Sequence, residues 1–180
     1  MALLWGDLSH LTRLGNRRML ESLLEDYCDD EKPAIRCYGL ILVDIDFFGL
    51  YNNHYGHLQG DIALMRVGSV LERHANGEQE VFCRIGGEEF ALLVVAGEAP
   101  NVAELSESIR FSIEQENILH EQSDIHRALT VSVGYSVMEV NQRDFNFDAL
   151  FNAADQSLYQ AKRSGRNQVV GSVSLLESTP

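Results

Sequence analysis

Tyr38 to Ile45 (YGLILVDI) is a nearly continuous run of apolar residues, rich in branched side chains, and it ends in acid at Asp44 and Asp46. A run of this length and composition reads as a central strand covered on both faces. The rest of the chain must therefore supply flanking strands and covering helices. Acidic residues at the end of such a strand are conspicuous, because charge at the rim of a buried element needs a partner or a ligand.

The flanking pattern supplies those elements. Leu11, Leu14, Met19, Leu20, Leu23 and Leu24 recur at helical spacing, with a turn or restart expected at Gly15-Asn16. From Gly60 to Arg73, Ile62, Leu64, Met65, Val67, Val70 and Leu71 mark a buried helix, with Asp61 expected in its first turn. Val81 to Ile85 and Phe90 to Val95 flank Gly86-Gly87-Glu88-Glu89 and predict a β-hairpin in which glycine supplies positive φ. Asn101 with Glu104 resembles a capping box for a helix reaching about Asn117. Leu129 to Val140 predicts a strand, Phe147 to Lys162 a helix closed by Gly165, and Gln168 to Val173 a last short strand. Strands alternating with helices around one hairpin indicate an α/β fold with a mixed, largely antiparallel central sheet surrounded by helices.

At 180 residues the chain fits one domain with its own core. Asp and Glu outnumber Lys and Arg by 27 to 14, for a formal charge of -13, so the average surface repels nucleic acid. An anionic nucleotide can still bind where metal ions and a few placed cations neutralise its phosphates. The cysteines Cys28, Cys37 and Cys83 form no CxxC pair and indicate neither a disulfide framework nor a zinc site, in keeping with a cytoplasmic domain. The most apolar run, Phe90 to Ala96, is strand-sized, so no membrane segment is expected in this piece, although the full-length protein could carry one.

Asp44 and Asp46 end the central strand, and Glu88 and Glu89 occupy a hairpin that could lie beside it. Carboxylates so gathered repel one another unless a divalent cation intervenes, and Mg²⁺ accepts carboxylate oxygens while leaving positions for substrate phosphates. Either pair alone would read as solvated loop ends; together they point to a metal-assisted reaction.

GGEEF at Gly86 to Phe90 resembles the signature of the GGDEF family of diguanylate cyclases, of which it is a permitted form. Companion segments stand in the family's order across nearly the whole chain: LTRLGNRR (11–18), VDIDFF (43–48), YGHLQGD (55–61) and LYQAKRSGRN (158–167). The resemblance implies a nucleotidyl-cyclase or polymerase-palm-like fold with a ferredoxin-like core. It implies a GGDEF domain over 1–174, with 1–10 a helical lead-in from an upstream sensor or regulatory region and 175–180 a tail. The implied reaction condenses two GTP into cyclic di-GMP and releases two pyrophosphates, each GTP being held by one subunit of a transient homodimer. Mg²⁺, or Mn²⁺ in its place, is the implied cofactor, with two ions per active site.

Carried over residue by residue, the resemblance makes Asp44, the Ile45 carbonyl and Glu88 the metal ligands. Glu88 or Glu89 is the base for the ribose 3′-hydroxyl. Asn52 and Asp61 match the guanine readers, whose amide and carboxylate suit the base's acceptor and edge donors. Lys162 and Arg166 match the triphosphate-binding cations, although basic residues near a helix C-terminus are favourable in any case. Gly86 and Gly87 would let backbone approach phosphate. Phe47 and Phe48 could line the nucleotide pocket or, as adjacent aromatics commonly do, pack in the core. His57 is expected to be a satisfied structural histidine.

The chain departs from the family in several places. Ser9 and Arg13 replace Asp and Gly of the opening motif, Gly49 stands where Lys is common, and Asn53 where Asp is usual. Gly77 and Glu80 occupy the Arg-x-x-Asp positions of the family's inhibitory product site, so no such site is expected: glycine cannot supply the missing fork of donors. These departures leave open a degenerate domain that binds GTP or passes a signal without catalysis. A more distant palm-like nucleotidyl transferase is disfavoured by the GGEEF context and the acidic surface.

Overall fold

The computed structural model describes residues 9, 11–12, 14–20, 22, 35–75, 80–96, 101–141 and 145–174. In chain order its elements are β1 (Gly15–Asn16), β2 (Ile35–Ile45), α1 (Phe48–Tyr55), α2 (His57–His74), β3 (Glu80–Arg84), β4 (Glu89–Ala96), α3 (Val102–Gln115), β5 (Val131–Asn141), α4 (Phe147–Arg163) and β6 (Val169–Ser174). Among the described residues the strands form one six-stranded sheet in the order β1-β3-β4-β2-β5-β6. Both neighbours of β2 are antiparallel to it, as are β3 and β4 to each other, whereas β1 joins β3 and β6 joins β5 in parallel. The mixed, largely antiparallel α/β sheet is the one the sequence predicts.

The apolar run that opened the sequence reading is the interior of β2, and alternation along it sends side chains to two cores. Ile41, Val43 and Ile45 face α1, α2 and α3, in a cluster with Val67, Val70, Leu71, Phe90, Ile109 and Ile113. Tyr38, Leu40 and Leu42 face α4, packing with Leu93, Leu150, Ala154 and Leu158. Helix α4 comes very close to the sheet at Gly134, where an added Cβ would lie 2.2 Å from the Leu158 backbone nitrogen and 2.4 Å from the Ala154 carbonyl oxygen. Only a residue without a side chain allows that approach.

Several expectations change. Leu11 lies in a turn and Leu14 in a bend rather than in a helix, and Gly15-Asn16 is a short parallel strand beside Cys83-Arg84. Helical residues begin at Arg17, with the Asn16 side chain accepting from the Met19 backbone N–H. Helix α2 opens at His57, three residues earlier than the apolar pattern suggests, so Asp61 falls beyond its first turn and His57 is exposed rather than structural. Among the described residues the positive-φ glycines are Gly56 and Gly165, so Gly86 and Gly87 do not serve the hairpin by that route. Gly165, with φ 122°, does close α4 as predicted. The short helix α1 leaves no apolar period in the sequence, because its eight residues bury only Phe48 and Tyr51. The lead-in at 1–10, Ser9 apart, and the tail at 175–180 lie outside the described residues.

Candidate active site at the end of the central strand

Three elements converge where β2 ends. Strand β2 carries Asp44 and Ile45, the β3–β4 hairpin lies alongside, and α4 crosses the same edge. Asp44 and Glu89 are directly opposed across β2 and β4, and the Ile45 N–H donates to the Glu88 carbonyl at 3.3 Å. From α4, Lys162 Nζ reaches Asp44 Oδ2 at 2.7 Å. The Asp44 residue is only 7% exposed. Burial pushes its carboxyl up from 3.8 to about 6; Lys162 works against that rise, and the charges of Glu88 and Glu89 add to it. A carboxylate raised by burial, with further acids beside it, is a place where added positive charge is favourable. Beside it, a cleft of about 290 Å³ is lined by Glu89, Asp155, Gln156, Leu158, Tyr159 and Lys162.

The hairpin is held from within. Arg84 donates from Nε and Nη2 to the Gly87 carbonyl, at 3.1 and 2.6 Å. Burial lowers the Arg84 pKa, while the charges of Asp61 and Glu88 oppose that fall, so this guanidinium links α2 to the hairpin electrostatically. A Cβ at Gly86 would stand 2.5 Å from Glu89 Oε2, whereas at Gly87 it would meet nothing within 4 Å. Gly86 thus makes room for a signature carboxylate, and Gly87 leaves the exposed turn open. Arg84 was not singled out from sequence; a lone cation ending the apolar strand VFCRI was the available signal.

Asp46 does not join this cluster. It is 2% exposed and accepts hydrogen bonds from Thr130 Oγ1 (2.8 Å), Ser132 Oγ (2.6 Å) and the Asn167 backbone N–H (3.1 Å). A carboxylate so fully satisfied is structural, tying the end of β2 to the segment after α4. The neighbouring backbone is unusual. Phe47, Arg166 and Asn167 have φ of 55°, 64° and 45°, in the left-handed region that L residues seldom adopt. The Arg166 guanidinium lies over the Phe47 ring, 4.3 Å from its centroid. His120, 1% exposed, donates from Nε2 to the Phe47 carbonyl at 3.2 Å. Burial lowers its pKa, which keeps the ring neutral, and Nδ1 is left without a partner.

Asn52 sits half-buried on α1 against Gly60 of α2, where a Cβ would fall 1.8 Å from Asn52 Oδ1. That oxygen is buried and has no hydrogen-bond partner, an unmet acceptor. Asp61, one residue on, is exposed. Phe48 is 5% exposed and belongs to the core, with its ring stacked on Tyr51, so it packs rather than lining a pocket. Gly49 and Asn53 are exposed on α1. Gly77 lies outside the described residues, and Glu80 opens β3.

Among the described residues no three His, Cys, Asp or Glu side chains are gathered as a ready-made metal cluster. What the end of β2 does bring together is carboxylates, Asp44 with Glu88 and Glu89 near enough for their charges to act on it. Such hard oxygen donors, few in number, suit Mg²⁺, which keeps several positions for water and phosphate. No helix among the described residues is long and apolar enough to cross a membrane.

The family description "Diguanylate cyclase, GGDEF domain" matches residues 7–168. The chain belongs to the GGDEF family of diguanylate cyclases. A relative named diguanylate cyclase DgcM, from Escherichia coli K12, is 36% identical over 160 residues, covering 89% of this chain and 37% of its own length. This GGDEF chain therefore spans little more than a third of that relative. Among solved structures, the GGDEF domain of DgcB from Caulobacter crescentus, in complex with c-di-GMP, is similar with a TM-score of 0.78 at 28% identity, over 95% of this chain and 98% of that one. The active GGEEF domain of a diguanylate cyclase from Vibrio cholerae is similar with a TM-score of 0.66 at 27% identity, over 88% of this chain and 97% of that one. These neighbours carry the palm-like nucleotidyl-cyclase fold that the resemblance implied.

Proposed function

We propose that this GGDEF domain is a diguanylate cyclase that condenses two GTP into cyclic di-GMP. The observation that carries the reading is the meeting of a buried, cation-favouring Asp44 with the two signature glutamates and with Lys162 at the edge of one cleft. In each half-reaction a ribose 3′-oxygen attacks the α-phosphorus of the facing GTP. One P–O bond forms, the bond to the β-phosphate oxygen breaks, and pyrophosphate leaves with the electron pair. The hydroxyl proton passes to a carboxylate, Glu88 or Glu89. Asp44, the Ile45 carbonyl and Glu88 would hold Mg²⁺, or Mn²⁺ in its place, which when bound neutralises phosphate charge.

Lys162 uses one ammonium donor on Asp44 and has two left for phosphate oxygens. Arg166, with its guanidinium laid over the Phe47 ring, supplies a fork suited to the same ligand. The unmet acceptor of Asn52, with the exposed carboxylate of Asp61 nearby in sequence, suits the N–H edge of guanine, which adenine lacks. One chain offers one such site, and the chemistry needs two nucleotides face to face, so a transient homodimer completes the reaction. An upstream sensor or regulatory region would set how often that pairing occurs.

The test is incubation with GTP and Mg²⁺ followed by product chromatography, for the wild type and for Glu88→Gln and Glu89→Gln. Each variant should retain its circular dichroism and lose at least about 100-fold in product formation, in line with removal of a base or metal ligand. Wild-type protein that binds GTP but yields no cyclic di-GMP, even when dimerisation is enforced, would establish the degenerate binding module instead.

A further inference from the structure

We infer that Arg110, on α3, is a positioning residue for the nucleotide site, acting through Asn167 to hold Arg166 in its phosphate-facing pose. The inference rests on the phosphate role proposed for Arg166. Two successive residues, Arg166 and Asn167, are held at positive φ, a state that persists only where the surroundings over-determine it. Asn167 tolerates it better than Arg166, because its short amide can bond locally. The surroundings are three fixed contacts to Asn167. Its backbone N–H donates to Asp46 Oδ2 at 3.1 Å, its amide oxygen accepts from Arg110 Nη1 at 2.8 Å, and its amide nitrogen donates to Glu114 Oε2 at 3.1 Å.

Arg110 is built for this. Its side chain is 13% exposed, and Glu107 grips Nε and Nη2 at 3.0 and 2.6 Å. Glu114 takes Nη1 at 2.5 Å, the same nitrogen that reaches Asn167. The guanidinium is therefore locked by two carboxylates from its own helix and spans 57 residues of sequence to the amide that follows Arg166. On the far side, Arg166 rests on the Phe47 ring, whose own left-handed backbone is secured by Asp46 on one flank and His120 on the other. Loss of the Arg110 guanidinium leaves the Asn167 amide oxygen without its partner and Glu114 without its counter-charge, lets the positive-φ pair relax, and blurs where Arg166 points.

A double-mutant cycle tests this, using calorimetric titration of a non-reactive α,β-methylene analogue of GTP with Mg²⁺ into wild type, Arg110→Met, Arg166→Ala and the double variant. Arg166→Ala should weaken binding about tenfold or more, as expected for a lost charge-assisted fork. Arg110→Met should weaken it roughly three- to tenfold, in the range of coupled contacts, and the double variant should bind no worse than Arg166→Ala alone. Arg110→Lys, which keeps the charge but not the fork, is run through the same cycle, and it secures the result should the Met variant unfold. It should bind like Arg110→Met, whereas full affinity in the Lys variant would show a distant charge effect and overturn the inference. Additive losses, or wild-type affinity in Arg110→Met, would overturn it as well. Unchanged affinity in Arg166→Ala would remove the phosphate assignment of Arg166, and this inference with it.

Discussion

Asp44 occupies a position that costs the metal-free fold stability. Its burial outweighs the ion pair with Lys162 and, with Glu88 and Glu89 adding repulsion, raises the carboxyl to about 6. In an unfolded chain the same group ionises near its ordinary value, so between about pH 4 and 6 the folded state binds the extra proton and stability falls as pH rises. Asp44→Asn should therefore melt a few degrees higher than wild type at pH 7.5 in EDTA, with the two melting temperatures converging near pH 4. A lower melting temperature for the Asn variant at pH 7.5 would mean that the ion pair outweighs burial. At this scale the sequence singled out residues whose neighbours form a motif, and of these the structure gathers Asp44, Glu88, Glu89 and Lys162 at one place. Arg110 and His120 escape such a reading, because each acts on an amide or carbonyl brought to it only by folding, across 57 and 73 residues, and no local spacing announces that.

The elements are tied to the site by two glycines that leave space rather than bend the chain. At Gly134 the backbone of α4 lies so close to β5 that a methyl would meet main-chain atoms at 2.2 and 2.4 Å, which cannot rotate away. Gly134→Ala should cost about 1–3 kcal/mol in denaturant unfolding, as overpacking does. It should also depress product formation, because α4 carries Lys162. At Gly60 the intruding methyl meets the end of the Asn52 amide instead. Gly60→Ala should leave the melting temperature nearly unchanged yet raise KM for GTP several-fold, with little change in kcat, if Asn52 reads the base. Buried strands and long amphipathic helices were legible from apolar spacing. Helix α1 was not, since two buried residues make no period, and β1 was hidden because two residues recruited by a neighbouring strand have no pattern of their own.

For the molecule as a whole, a formal charge of -13 makes the two requirements of the proposed reaction demanding. A tetraanionic nucleotide must be drawn to an acidic domain, and two such domains must then meet despite mutual repulsion. On the function proposed, positive charge placed at the cleft would answer the first requirement, and transient pairing, strengthened by salt or by an upstream dimerising region, would answer the second. The most direct measurement is the initial rate of cyclic di-GMP formation per subunit across a wide range of protein concentration, with GTP and Mg²⁺ saturating. Specific activity should climb with concentration towards a plateau, reached earlier when the chains are fused to a dimerising segment. No product at any concentration, fused or free, from protein that demonstrably binds GTP would contradict the proposed reaction.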